Sequence, residues 1–102
     1  MLPVVWLSPA LDDLREIATY IAWENPSAAR RLKSLLQEAI EPVAEHPYLY
    51  RSGRAPGTRE LVAHPNYVLV YRVTLERIEV VNVIHARQEY PGFGEQWNRK
   101  PT

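Results

Sequence analysis

Arg59, Arg72, His85 and Arg87 are the residues of this chain whose types could support chemistry together. Cleavage of RNA without a metal needs a base for the ribose 2′-hydroxyl, cations for the charge that builds on the phosphate, and an acid for the leaving oxygen. One histidine and three arginines could fill those roles if they converged. Strand alternation gives a partial test. Tyr67, Leu69, Tyr71 and Val73 fall on one face of a strand, and Val68, Val70 and Arg72 on the other. Arg72 therefore points away from Tyr71, and nothing in the spacing brings the four together. The same groups also suit a binding platform that grips an anionic or protein target. Its contacts would be Arg54, Arg59, His85 and Arg87 at strand ends, with Tyr90 and Trp97 behind the last strand. A third reading is structural: Arg59 or Arg72 could form cross-strand ion pairs with Glu60 or Glu79. His46, His64 and His85 lack metal-ligand spacing, so no metal site is expected. Nothing in the chain calls for a cofactor.

These residues must be positioned by a small set of elements. Val4 to Leu7 is a short β run. Ser8-Pro9 starts a helix, with a hydroxyl as N-cap and proline at the first helical position. Asp12 and Asp13 lie in its first turns, where the helix dipole favours anions. Leu11, Leu14, Ile17, Ala18, Ile21 and Ala22 form one apolar face, and the helix should end near Glu24. Asn25-Pro26 repeats the start signal. Ala29, Leu32, Leu35, Leu36, Ala39, Ile40 and Val43 then share a face, until Pro42 kinks or ends the helix. So short a junction forces an antiparallel helical hairpin. Residues 46–57 read as a loop, in which Tyr48 and Tyr50 should cover the core edge. Three β runs follow, at about 58–63, 67–73 and 77–85, joined by two short turns into an antiparallel meander. The last two are apolar on both faces in places, as central strands are. Trp6 and Trp23 are expected in the core or at its rim. The order is βααβββ and the class α+β, a helical hairpin packed on a small antiparallel sheet. Residues 1–90 form the single expected domain and 91–102 a polar tail.

Composition bounds the function. A chain of 102 residues with 46% apolar and 24% charged residues is one ordinary globular domain. It has no cysteine, which excludes disulfides, thiolate metal sites and a cysteine nucleophile. No apolar run approaches the ~18 residues of a membrane span, and the N-terminus lacks the layout of a signal peptide. A cytoplasmic protein is expected. The net charge of zero hides an asymmetry: seven acids face four bases in residues 1–50, and five acids face eight bases in residues 51–102. A free-standing nucleic-acid binder would be more basic overall.

Several stretches resemble the RelE/ParE superfamily of toxins from bacterial toxin–antitoxin pairs. They are Trp6-Leu7-Ser8-Pro9-Ala10 with Asp12-Asp13-Leu14, Ile17 to Ala22 with Asn25-Pro26, His46-Pro47 with Gly53-Arg54, and Arg59-Glu60-Leu61-Val62. Tyr67 to Val73 and Val83-Ile84-His85-Ala86-Arg87 complete the series. The resemblance spans about Val4 to Arg87 and implies the βααβββ fold. One branch of the superfamily cleaves messenger RNA on the ribosome; the ParE branch poisons DNA gyrase. The cleaving members carry a basic residue just inside their third strand, where this chain has Val68. They also place a tyrosine close behind the last strand, whereas here the nearest is Tyr90, before a proline. The lysine-rich second strand of RelE is absent too. The resemblance thus implies a ParE-like gyrase inhibitor, with no enzymatic activity, held silent by an antitoxin encoded beside it. The alternatives are a ribosome-dependent mRNA endoribonuclease using Arg59, Arg72, His85 and Arg87, or a relic that only binds its antitoxin. The antitoxin is expected to lay a helix along the helical hairpin, at Leu14, Ile21, Leu32 and Leu36, and to be the route by which DNA is contacted.

Overall fold

In the computed structural model, which describes residues 1–87, the chain runs β1 (Val4–Trp6), α1 (Ser8–Ala22), α2 (Pro26–Ala39), a 3-10 turn (Glu41–Ala44), β2 (Arg51–Ser52), β3 (Arg59–His64), β4 (Tyr67–Val73) and β5 (Ile78–His85). The five strands form one sheet in the order β1-β5-β4-β3-β2. β3, β4 and β5 are the expected antiparallel meander. β1 returns to pair parallel with β5, Val4 opposite Ile78 and Trp6 opposite Val80, so the sheet is mixed. The two-residue β2 lies within the segment read as loop and pairs antiparallel with β3 through Arg51–Glu60 and Ser52–Arg59.

Both helix starts contain proline, but they are built differently. Asn25 caps α2 through its side chain, which accepts from the Ala28 amide at 3.0 Å. α1 has no side-chain cap: its N-cap is Leu7, in extended conformation, and Ser8 is already inside the helix. The first helical bond runs from the Leu11 amide to the Leu7 carbonyl. α1 ends at Ala22, two residues before the expected Glu24, with the Asn25 amide still donating to the Ile21 carbonyl. Pro42 ends the second helical run by tightening it into a 3-10 turn.

The α1–α2 hairpin covers one face of the sheet. Ala10 and Leu14 of α1 and Leu36 and Ile40 of the second run meet Leu61, Leu69, Tyr71, Ile78, Val80 and Val83 there. A smaller cluster, Val68, Val70 and Ile84 with Ala55, lies on the opposite face. β5 changes the parity of its inward residues along its length. Ile78 and Val80 face the hairpin, then Val83 does, and Ile84 faces away. A register shift beside Val81 causes this: Val70 pairs with Asn82, but Tyr71 with Val80. The extra residue explains why β5 reads as apolar on both faces. Trp23 is 84% exposed rather than at the core rim.

Candidate functional site

The sheet face away from the helices collects arginines, each held by a buried carboxylate. Glu60 is 3% exposed and Glu79 is 6% exposed. Glu60 accepts from Arg51 at 2.9 Å, from the Arg54 guanidinium at 3.1 Å and from the Arg54 amide at 3.0 Å. Glu79 accepts from Arg72 across the β4–β5 ladder and from Arg77 at 2.8 Å. Those hydrogen bonds hold the Glu79 carboxyl below its usual pKa. Alternation explains the layout. Glu60 and Val62 on β3 share the face of Val68 and Val70, and Glu79 lies opposite Arg72. A buried carboxylate in an apolar face requires paired cations, and two arginines serve each.

Arg59 projects the other way. It donates to the Tyr50 carbonyl at 2.8 Å and to the Tyr48 carbonyl at 3.4 Å, and its guanidinium lies 4.8 Å from the centroid of the Tyr48 ring. Tyr50 packs on the core as expected, but Tyr48 is 65% exposed and serves as the platform for this cation–π contact. Beside them Tyr71, fully buried, donates its hydroxyl to the Pro47 carbonyl at 2.9 Å. Burial pushes the Tyr71 phenol up to about 12 against the lowering effect of Arg59.

The far end of the meander is aromatic and lies next to acids. Tyr67 contacts His64 and His85, each with ring centroids 5.6 Å apart. His85 Nδ1 accepts from the Arg87 amide at 3.2 Å, and Arg87 is exposed in the turn beyond β5. Between this end and α1 runs a groove of about 640 Å³ lined by Asp12, Asp13, Glu16, Tyr20, Tyr67 and His85, among others. Asp13 is among its lining residues. One oxygen, Oδ2, accepts from the Asn82 side chain and from the Val83 amide, both at 2.9 Å. Burial raises the Asp13 pKa, and these hydrogen bonds oppose the rise.

The four residues considered for RNA cleavage do not converge. Arg59 stands opposite Tyr71, and His85 opposite Tyr67. Four strand positions separate those partners, roughly 13 Å at ~3.3 Å per residue. Arg72 lies on the other face, paired to Glu79. The ion-pair reading therefore holds for Arg72, whereas Arg59 binds carbonyls and a ring instead of Glu60. Arg54 is an ion-pair partner of Glu60. Tyr90 and Trp97 lie outside the described residues. Leu14 and Leu36, expected to meet an antitoxin, are 2% and 0% exposed in the domain's own core and present no side chain to a partner. Ile21 and Leu32 are half-buried. The outward apolar groups of the hairpin are Leu11, Tyr20, Trp23 and Leu35 instead, so Leu11 does not share the buried face expected for it. Sequence reasoning missed the roles of Asp13, Glu60, Glu79 and Asn82. A usable signal existed for the glutamates: each directly precedes an apolar pair in a β run, Leu61-Val62 after Glu60 and Val80-Val81 after Glu79.

No helix among the described residues is long and apolar enough to cross a membrane, and no cluster of potential metal ligands occurs among them.

Residues 4–90 match the family model described as the ParE toxin of the type II toxin–antitoxin system parDE. Y4kP of Sinorhizobium fredii, named as a candidate toxin, is 39% identical over 87 residues, covering 84% of this chain and 90% of that protein. Toxin RelE2 of Caulobacter vibrioides is 40% identical over 86 residues, covering 84% of this chain and 97% of that protein. Among solved structures, the chromosomal ParDE toxin–antitoxin system of P. aeruginosa superimposes with a TM-score of 0.73 at 21% identity, over 83% of this chain and 96% of that one. A YafQ mutant from E. coli reaches 0.51 at 16% identity, over 84% and 94%. These last two establish a shared fold. With the family model covering almost all the described residues and two relatives near 40% identity, the chain belongs to the ParE toxin family of type II toxin–antitoxin systems.

Proposed function

We propose that this protein is a cytoplasmic toxin that blocks DNA gyrase by binding it, and that an antitoxin encoded beside it keeps it silent. One observation carries the choice of target. The cations a nuclease needs are engaged elsewhere: Arg72 by Glu79 on one sheet face, Arg59 by backbone carbonyls on the other. A phosphorane-like charge is stabilised by preorganised donors aimed at one point, and this arrangement aims them at two. The antitoxin partner is supported by the family description and by the ParDE neighbour.

The test compares two reactions of the purified chain. With gyrase and supercoiled DNA, it should raise the yield of cleaved DNA–gyrase complexes. On translating ribosomes, toeprinting should show intact messages. Codon-dependent cleavage in the A site would replace this reading with the ribosome-dependent endoribonuclease. One feature favours that second reading: His85 is oriented by the Arg87 amide, which donates to its Nδ1, and its ring stands against Tyr67. The antitoxin should bind with nanomolar or tighter affinity (about −12 kcal/mol or beyond). Binding without growth arrest would identify a relic.

A further inference from the structure

One side of α1 takes no part in the core. Asp12, Glu16 and Tyr20 stand four residues apart along the helix and so share that side. Trp23 follows at the C-cap. All four are exposed, Tyr20 at 78% and Trp23 at 84%. Two large rings left in water at one helix end add nothing to the core, and such residues are the usual anchors of protein interfaces. Tyr20 also lines the groove of about 640 Å³ whose lining includes Asp13, Tyr67 and His85. The charge on this side is one-signed. Arg15 is the single base in α1, and it is bound to Asp12 at 2.9 Å. Burial raises the Asp13 pKa, and the charges of Glu16 and Asp12 raise it further. Glu24 adds a carboxylate beside Trp23. Like charges one helical turn apart are destabilising, and a cation supplied from outside would relieve them.

The partner that fits is a basic protein surface. An enzyme that holds DNA neutralises its phosphates with lysine and arginine, and arginine is the cation that stacks best on tyrosine and tryptophan. We propose that this acidic, aromatic side of α1 docks on an arginine- and lysine-bearing surface of gyrase beside its DNA path. Tyr20 and Trp23 are the anchors, and Asp12 and Glu16 are the charge partners. The chain then grips the protein and not the DNA, in keeping with its net charge of zero. The inference deepens the reading that gyrase is the target and rests on it. A second copy of this chain fits less well, because the arginines of its open sheet face, Arg51, Arg54, Arg72 and Arg77, are each held by Glu60 or Glu79.

The probe is purified gyrase holoenzyme, titrated by calorimetry with the full chain in the absence and in the presence of DNA. The parent should bind in both states, less tightly as salt rises, and should not bind DNA alone. Tyr20→Ala with Trp23→Ala, and separately Asp12→Lys with Glu16→Lys, change exposed side chains only. Each pair should weaken gyrase binding by about tenfold or more and leave thermal melting near that of the parent. Leu75→Lys, at a 98% exposed turn position, is the control and should bind as the parent does. Unchanged gyrase binding by both folded pairs would overturn the assignment of this face and leave the gyrase reading standing. So would variants that keep gyrase binding but lose self-association or antitoxin binding, for the face would then belong to a second copy or to the antitoxin. A parent that binds gyrase only when DNA is present would overturn it too. Failure to bind in either state would overturn the gyrase reading with it.

Discussion

Asp13 on α1 and Asn82 on β5, 69 residues apart in sequence, are joined by a hydrogen bond of 2.9 Å. The same carboxylate oxygen takes the Val83 amide, at the point where β5 changes parity. One side chain therefore ties the first helix to an irregular place in the last strand and lines the acidic groove.

Asp13→Ala should lower stability by about 1–3 kcal/mol, because it strands two donors whose acceptor is partly buried. For a domain of this size each kcal/mol is roughly 4–8 °C in Tm. Asp12→Ala, which breaks only an exposed pair with Arg15, should stay within about 0.5 kcal/mol. Thermal melting of the two variants checks the contrast.

Stability against pH should show two opposing contributions. Glu79 has a native pKa below its usual 4.5, so its contribution is present above that value and is lost as pH falls through the native one. Asp13 is raised above 3.8; the native state binds the extra proton, and its contribution diminishes as pH rises through the native value. Urea melts from about pH 7 to about pH 3 should therefore show Glu79→Gln with a shallower acid loss than the parent. Asp13→Asn should show a steeper one.

Tyr71→Phe removes the hydroxyl that donates to the Pro47 carbonyl and should cost about 1 kcal/mol without altering the sheet. In the parent, absorbance titration should show one tyrosine ionising late, near 12. That late step should vanish in the variant.

His85→Ala separates the two mechanisms. A gyrase binder should keep most of its toxicity, whereas loss of a general acid or base costs a nuclease roughly 100-fold or more. Arg87→Ala, at an exposed position, should reduce growth arrest and leave Tm unchanged. If Arg87→Ala is fully toxic while folded His85→Ala is inert, the strand ends constitute an active site and the gyrase reading fails.

Much of the fold was legible in local pattern. β4 spans Tyr67–Val73, as its alternation and the preceding Pro65-Asn66 turn require, and Asn25 caps α2 as its position before proline predicts. Local pattern could not supply partners at long range. A two-residue strand such as β2 has no period to detect, and the pairing of β1 with β5 depends on the path of the whole hairpin. The site was less legible for a related reason. Arg54, Arg59 and Arg72 were recognisable as cations near strand ends, but a cation's availability depends on what faces it. Glu79 faces Arg72 only through the register of β4 on β5, and the Tyr50 carbonyl reaches Arg59 only through the loop's return. Leu14 and Leu36 were visible as apolar, yet sequence cannot say whether a helix turns such a residue toward its own sheet or toward a partner.

The parallel pairing of β1 with β5 also fixes the order in which a nascent chain can mature. Val4–Trp6 leaves the ribosome early and has no partner until Ile78–Val80 follows. At synthesis rates of ~5–20 residues per second, that wait is on the order of several seconds. Through this interval the helical hairpin has only part of the sheet to close on. An interrupted translation product that stops before Ile78 therefore leaves β1 without its partner and the sheet incomplete.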